Sequence, residues 1–84
     1  MSTLHIAFSS AGLAAALPRR SEGDAVLLAG DAVYASRTIT ESVYALEEDL
    51  SVRGVEPGPT VTVIDYAGMV ALTERHHPLV SWRE

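Results

Sequence analysis

The stretch Thr60-Val61-Thr62-Val63-Ile64-Asp65 decides the fold class, because it joins the strongest strand signal in the chain to a helix start. Its first five residues are all β-branched, which favours an extended strand. Asp65 can then cap a helix by accepting a hydrogen bond from a free backbone N–H. The stretch therefore predicts a strand over residues 60–64 that leads directly into a helix.

The segment after Asp65 has the pattern of an amphipathic helix over about residues 66–76. Pro78 lacks the N–H that a continuing helix would need, so it ends this element. Residues 79–82 can form a last short strand. The residues that recur on one face at helical spacing are Tyr66, Met69, Val70 and Thr73.

Upstream of this unit, strands and helices alternate. Strands are predicted at residues 4–8, 24–29 and 42–46, the second from a continuous apolar run that is typical of a strand buried on both faces. Helices are predicted at residues 12–17 and 47–54, while residues 32–40 show no clean period and are predicted as a loop with at most a short helix. Gly54 follows the second helix, where a left-handed cap is expected.

The predicted order is β-α-β-loop-β-α-β-α-β within a single domain of residues 1–84. Each connection is roughly a dozen residues or more, which suits a parallel crossover and is too long for a hairpin. The fold class is therefore α/β, a small layered domain with a mostly parallel sheet of four to five strands and short helices. Such short helices cover one sheet face thinly, which predicts oligomerisation.

The composition of the chain argues against several classes of function. The chain of 84 residues has a net charge of −5, contains arginine but no lysine, and has no cysteine. An acidic chain is a poor candidate for direct nucleic-acid binding. Without cysteine there is no thiolate metal site and no persulfide carrier. No apolar run is long enough to span a membrane and the N-terminus lacks a basic signal start, so a cytosolic location is expected.

The histidines do not form a convincing reactive group. His76 and His77 are adjacent, so on a helix they point about 100° apart and cannot make the i,i+4 pair that holds a metal. Favourable charge at a helix C-terminus is the better interpretation. His5 is interpreted as a structural residue on the strand face opposite Leu4 and Ile6. Ser9, His76 and Asp65 supply the residue types of a serine–histidine–aspartate catalytic set, but Ser9 lacks the sequence context of a nucleophile.

Other polar groups have ordinary structural interpretations. Ser9 and Ser10 follow the first strand, where they can cap a helix or, alternatively, hold an anion at its N-terminus. The run Glu47-Glu48-Asp49 is interpreted as charge at a helix N-terminus. Arg19 and Arg20 are interpreted as a solvated turn. Trp82 either docks on the core of this domain or anchors an interface. No catalytic residue, cofactor or metal site is predicted.

Beyond these patterns, three segments of the chain resemble the TusB/DsrH family, a branch of the DsrE/DsrF-like superfamily. The strand-to-helix block of residues 63–73, followed by His76 and Trp82, looks like the C-terminal signature of that family. Residues 21–35 resemble its Glu-Gly-Asp step into the second strand. Residues 43–54 resemble its third strand and the helix that follows. Together with the similar start at residues 3–5, these segments cover most of the chain in the family order.

The resemblance implies a DsrE/DsrF-like fold and a non-catalytic subunit of a cytosolic persulfide relay complex. In such complexes the chain would assemble with two related subunits, TusC/TusD-like, as a dimer of heterotrimers, and a partner subunit would hold the sulfur-carrying cysteine. A TusB-like chain would support synthesis of 2-thiouridine at the tRNA wobble position. A DsrH-like chain would act in sulfur oxidation.

Two departures from the family pattern bear on these expectations. DsrH-like members often carry a cysteine in the first helix, at the position of Ala16 in this chain, which favours the TusB-like branch. The segment of residues 35–42 is shorter than usual, so the second helix is expected to be missing. Homo-oligomers of the isolated chain remain an option. A different class, a stand-alone domain that binds a small anion at residues 9–12, is the alternative. The residues expected at a partner interface are Tyr66, Met69, Val70 and Trp82.

Overall fold

The structure is a computed structural model that describes residues 2–83, so the two end residues of the predicted domain 1–84 lie outside that range. Five strands alternate with helical segments, as the sequence predicts. The strands are β1 (Leu4–Ala7), β2 (Ala25–Leu28), β3 (Val43–Leu46), β4 (Val61–Ile64) and β5 (Leu79–Trp82). The α-helices are α1 (Ser10–Ala16), α2 (Glu47–Arg53) and α3 (Tyr66–Arg75), and 3₁₀ helices span Leu17–Arg19 and Gly30–Arg37.

All five strands form one parallel sheet in the order β4-β3-β2-β1-β5. The α/β class, the parallel sheet and the short helices are therefore confirmed. The apolar strand β2 lies at the centre of the sheet and all four of its residues are buried. The β-branched strand β4 lies at one edge and is only partly buried, so the strongest strand signal marks an edge of the sheet.

The helical segments divide between the two faces of the sheet. One face, here called the helix-rich face, is packed by α1, α2 and the 3₁₀ helix Gly30–Arg37 through Leu13, Leu50 and Val33. The other face, here called the α3 face, is packed by α3 alone through Leu72, with Met69 partly buried beside it. The chain order explains this division: three successive crossovers run in one direction along the sheet, and the last crossover returns in the other.

The α3 face has little cover. Leu72 is the only buried residue of α3. Close approach of this helix to β4 depends on Gly68, because a Cβ at that position would come within 2.9 Å of the Ile64 Cβ atom. Tyr66 and Val70 on α3 are each about half exposed. The thin cover expected from the short helices is therefore present on this face.

Most element boundaries differ from the prediction by one or two residues, and two helical segments differ in ways that bear on the fold. Residues 30–37 form a 3₁₀ helix, whereas a loop with at most a short helix was expected over residues 32–40 and the second helix was expected to be missing. Its start is fixed by contacts far along the chain, since the Gly30 N–H donates to the Asp49 carboxylate. Helix α3 ends at Arg75, and His76 has an extended backbone. The left-handed glycine cap after α2 is confirmed, with Gly54 at a φ of 63°.

Candidate functional site

An open groove lies at the carboxyl edge of β3 and β4. It has a volume of about 760 Å³ and lies between the starts of α2 and α3. The carboxyl edge of a parallel sheet is where α/β domains usually bind their ligands and partners. Its lining residues are Leu46, Glu47, Glu48, Ser51, Val52, Asp65 and Tyr66.

The groove is acidic because both helices begin with carboxylates. The first turn of α2 contains Glu47, Glu48 and Asp49, as predicted from the sequence. Asp65 caps α3, and its carboxylate accepts a hydrogen bond from the Gly68 N–H. A negative charge at these positions is stabilised by the helix dipole.

Within residues 2–83, these carboxylates differ in whether an arginine neutralises them. Arg53 donates from Nε to Asp31 at 3.0 Å and lies 3.6 Å from Asp49. Glu47, Glu48 and Asp65 form no ion pair with an arginine of the described chain. The carboxylate of Glu48 also raises the pKa of the Tyr66 hydroxyl, mainly by accepting its hydrogen bond. The groove thus combines exposed apolar surface with uncompensated negative charge.

A second open groove, of about 490 Å³, runs along the α3 face. Tyr66 and Met69 line it from α3, and Phe8 and Leu79 line it from the sheet. Three of the residues expected at an interface, Tyr66, Met69 and Val70, are therefore on the one helix that covers this face. The structure brings these three together.

Trp82, the fourth residue expected at an interface, lies apart from them. It pairs in register with Ala7, whose side chain belongs to the core of the helix-rich face. Its ring stacks on His5 at a centroid distance of 6.1 Å, and the Arg19 guanidinium lies 5.3 Å from its centre. These contacts agree with the interpretation in which Trp82 docks on its own domain, one of the two given for this residue.

His5 is the centre of a buried polar network that the sequence did not reveal. Its Nδ1 accepts a hydrogen bond from Trp82 Nε1 at 3.1 Å, and its Nε2 donates to Asp24 at 3.0 Å. Because the indole N–H can only donate and the carboxylate can only accept, the imidazole is neutral and carries its proton on Nε2. Asp24 also accepts the backbone N–H groups of Thr3 and Ser21. This network joins β1 and β5 to Asp24, the residue that precedes β2, so the interpretation of His5 as a structural residue is consistent with its contacts.

The same hydrogen bonds stabilise the Asp24 carboxylate. They lower its pKa from 3.8 to about 2, with the N–H of Thr3 contributing most, then that of Ser21 and then His5. The side chain of Asp24 is only 7% exposed. Because the folded pKa lies below the unfolded one, this stabilisation is complete above about pH 4 and is lost as the pH falls toward 2.

The variant Asp24→Asn tests this network. We expect it to lower the free energy of unfolding by about 2 kcal/mol at pH 7, since the amide cannot accept from all three donors. The difference from wild type should shrink between pH 4 and pH 2, as measured by urea unfolding followed through Trp82 fluorescence. Asp31→Asn is the control, because Asp31 is a 72% exposed partner of a surface ion pair and its loss should cost under about 1 kcal/mol. A difference that does not change with pH would contradict this account.

Ser9 is a helix cap, as predicted. Its Oγ accepts the Gly12 N–H at 2.9 Å and donates to the Arg83 carbonyl at 2.9 Å. The carbonyl of Trp82 lies against Gly12 in the first turn of α1. The turn of residues 9–12 therefore packs against the main chain of residues 82–83, and α1 has only seven residues.

The remaining histidines and the nominal catalytic set are not assembled into a site. His76 Nδ1 lies 2.7 Å from Ser2 Oγ, and His76 is the residue that caps the end of α3, one position beyond its last helical residue. His77 is exposed on the following loop. Ser9 and Asp65 are each engaged in capping a different helix, far along the chain from each other.

The described residues contain neither a cluster suited to a metal ion nor a helix suited to span a membrane. Among residues 2–83, no three histidine, aspartate or glutamate side chains cluster closely enough to hold a metal ion. No helix in the same range is both long and apolar enough to cross a membrane.

The fold and its surface define a small, doubly wound parallel α/β domain with one thinly covered face. Residues 5–79 match the family model described as DsrH like protein, and the chain belongs to this family. It is 37% identical to Protein TusB of Shigella sonnei (strain Ss046) over 92 aligned residues. It is 36% identical to Protein TusB of Escherichia coli (strain K12) over the same length. Each alignment covers 95% of this chain and 97% of the relative.

Proposed function

We propose that this chain is a non-catalytic, TusB-like subunit of a cytosolic persulfide relay complex that supports 2-thiouridine synthesis at the tRNA wobble position. The observation that carries the proposal is the likeness to TusB proteins over 95% of the chain. The family resemblance of the sequence motifs supplies the sulfur relay role. The absence of cysteine then decides the part this subunit plays.

A relay of persulfide sulfur requires a thiolate at each carrier. This chain has none, so a partner subunit must hold the sulfur. A subunit without a thiol also offers no competing acceptor to the sulfur in transit. Its contribution is therefore to complete the oligomer and to shape the surroundings of the partner's reactive cysteine.

The proposed partners are two related DsrE/DsrF-like subunits, TusC/TusD-like, in a dimer of heterotrimers. The thin cover of the α3 face supports a stable assembly, because a domain of this size buries little apolar surface alone. Tyr66, Met69 and Val70 are proposed as part of that contact. Trp82 is proposed to stabilise the fold of this chain instead, through His5.

A DsrH-like role in sulfur oxidation is the second candidate, and the family model that matches residues 5–79 favours keeping it. The alternative of a stand-alone anion-binding domain has less support, since the main chain at residues 82–83 packs against the turn of residues 9–12.

Deletion of the coding gene in the native host separates these roles. We expect wobble 2-thiouridine, measured by mass spectrometry of digested tRNA, to fall strongly and to return when the chain is supplied in trans. Since the chain has no cysteine that could carry persulfide sulfur, loss of the tRNA modification would reflect loss of the assembled relay. Unchanged tRNA thiolation together with impaired oxidation of reduced sulfur would contradict the TusB-like assignment and favour the DsrH-like one.

A further inference from the structure

Strand β4 leaves one side of its backbone open. It ends the sheet in the order β4-β3-β2-β1-β5. The Val43 N–H of β3 donates to the Thr60 carbonyl. In a parallel ladder the N–H and C=O of alternate residues point to the same neighbour, so Thr60, Thr62 and Ile64 face β3 while Val61 and Val63 face outward. The Val61 N–H is used by the Gly58 carbonyl, which leaves the Val63 N–H and C=O directed away from the sheet.

Apart from its short length of four residues and the Gly58 carbonyl at Val61, this edge lacks the features that usually protect an edge strand. Residues 61–64 contain no charge and no proline, and β4 pairs with β3 in continuous register without a bulge. Val63 is 41% exposed on the helix-rich face, and Val52 of α2, which lines the acidic groove, is 75% exposed. An apolar, β-branched edge of this kind is suited to accept another strand.

The carboxyl end of β4 leads directly into the acidic groove. Asp65 follows the last residue of the strand, and Glu47 and Glu48 lie across the groove from it on α2. None of the three is paired with an arginine of residues 2–83. Charge complementarity therefore selects a basic occupant. A second copy of this chain is disfavoured, because each copy carries a net charge of −5 and would bring its own carboxylates to the same place.

We propose that the open edge of β4 and the adjoining acidic groove bind an extended segment of a partner subunit, which adds a sixth strand to the sheet and places an arginine or lysine side chain among Glu47, Glu48 and Asp65. The backbone groups of Val63 would supply affinity that does not depend on side chains, and the carboxylates would supply selectivity for charge. The exposed ring of Tyr66 in the groove suits the same cation through its face. The inference rests on the proposed function, since that function provides the partner.

Two substitutions at one exposed position test the inference. The tagged chain is co-expressed with its two related subunits from the same host, and the affinity of wild type, Val63→Lys and Val63→Glu for the partner subunits is compared. We expect Val63→Lys to weaken assembly at least about tenfold, because it sets a cation against a basic segment. Val63→Glu, which has a similar size and also disrupts apolar contact, should weaken assembly by clearly less. Thermal unfolding of each isolated variant verifies that it folds.

Hydrogen exchange gives a second, independent readout. The Val63 amide should exchange fast in the free chain and become protected in the complex. Equal affinity of Val63→Lys and wild type, with no protection of this amide, would overturn the inference while leaving the relay complex intact. Equal weakening by both variants would also overturn it, because the charge of the occupant would then not matter. If the wild-type chain forms no complex at all, the proposed function fails, and this inference fails with it.

Discussion

Replacing Gly12 with alanine is expected to destabilise the domain by about 2 kcal/mol, although alanine is the better helix former. In an ordinary helix interior this substitution would stabilise by about 1 kcal/mol. Here a Cβ at residue 12 would lie well inside van der Waals contact of the Trp82 carbonyl oxygen and also 2.9 Å from its carbon. Backbone atoms cannot rotate away, so α1 or β5 must shift, and such overpacking costs roughly 1–3 kcal/mol and occasionally more.

The displacement caused by Gly12→Ala should also be visible in the network around Trp82. A shift of β5 would break the Trp82 to His5 hydrogen bond, so indole fluorescence should change along with the urea midpoint. Ala14→Ser is the matched control, since residue 14 is exposed on the same helix. A Gly12→Ala protein as stable as wild type, with unchanged fluorescence, would mean that α1 is not held against the chain end.

Truncation of Leu72 to alanine is expected to have the largest effect on the α3 face, about 3 kcal/mol. Leu72 is 1% exposed and is the only buried residue of α3. Buried leucine-to-alanine changes cost roughly 2–5 kcal/mol, and few other contacts hold this helix. For a domain of this size that loss should lower Tm by about 10 °C or more.

Val70→Ala provides the matched control for Leu72→Ala, because it removes similar apolar atoms from the same helix at a position that is 51% exposed. In the isolated chain it should change stability by under about 0.5 kcal/mol. In an assembled complex, Val70→Ala should weaken the partner contact if the α3 face is covered by a subunit. A Leu72→Ala protein with the melting temperature of Val70→Ala would show that α3 is not anchored as described.

The order of strands and helices could be predicted from local sequence patterns, whereas contacts between elements distant in the chain could not. The β-branched run of residues 60–64 predicted a strand correctly, but β-branching favours extended backbone at an edge as well as at the centre. The continuous apolar run of β2 gave the better indication of position, because only a strand covered on both faces lacks alternation. Residues 30–37 carry no such pattern, and their helical form depends on Asp49, which lies far along the chain.

The roles of the candidate site residues were likewise predictable only where they depend on neighbours in the sequence. Ser9 and Asp65 were predicted as helix caps, since capping depends on the next three residues. The contact of His5 with Asp24 and Trp82 depends on how β1 lies beside β5 and beside the start of β2, which no local pattern contains. Alternation did place His5 on the face opposite Leu4 and Ile6, and a buried histidine must find hydrogen-bond partners. Tyr66, Met69 and Val70 were grouped by helical spacing, whereas Trp82 was joined to them without such a relation and lies on the opposite face.

The central claim, that this chain is a thiol-free subunit of a relay complex, is tested most directly by native mass spectrometry of the tagged protein purified from its own host. The account predicts an assembly that contains two related small subunits, each subunit in two copies, with a persulfide on a cysteine of one partner. A lone monomer or homodimer, with no partner that bears a thiol, would contradict it.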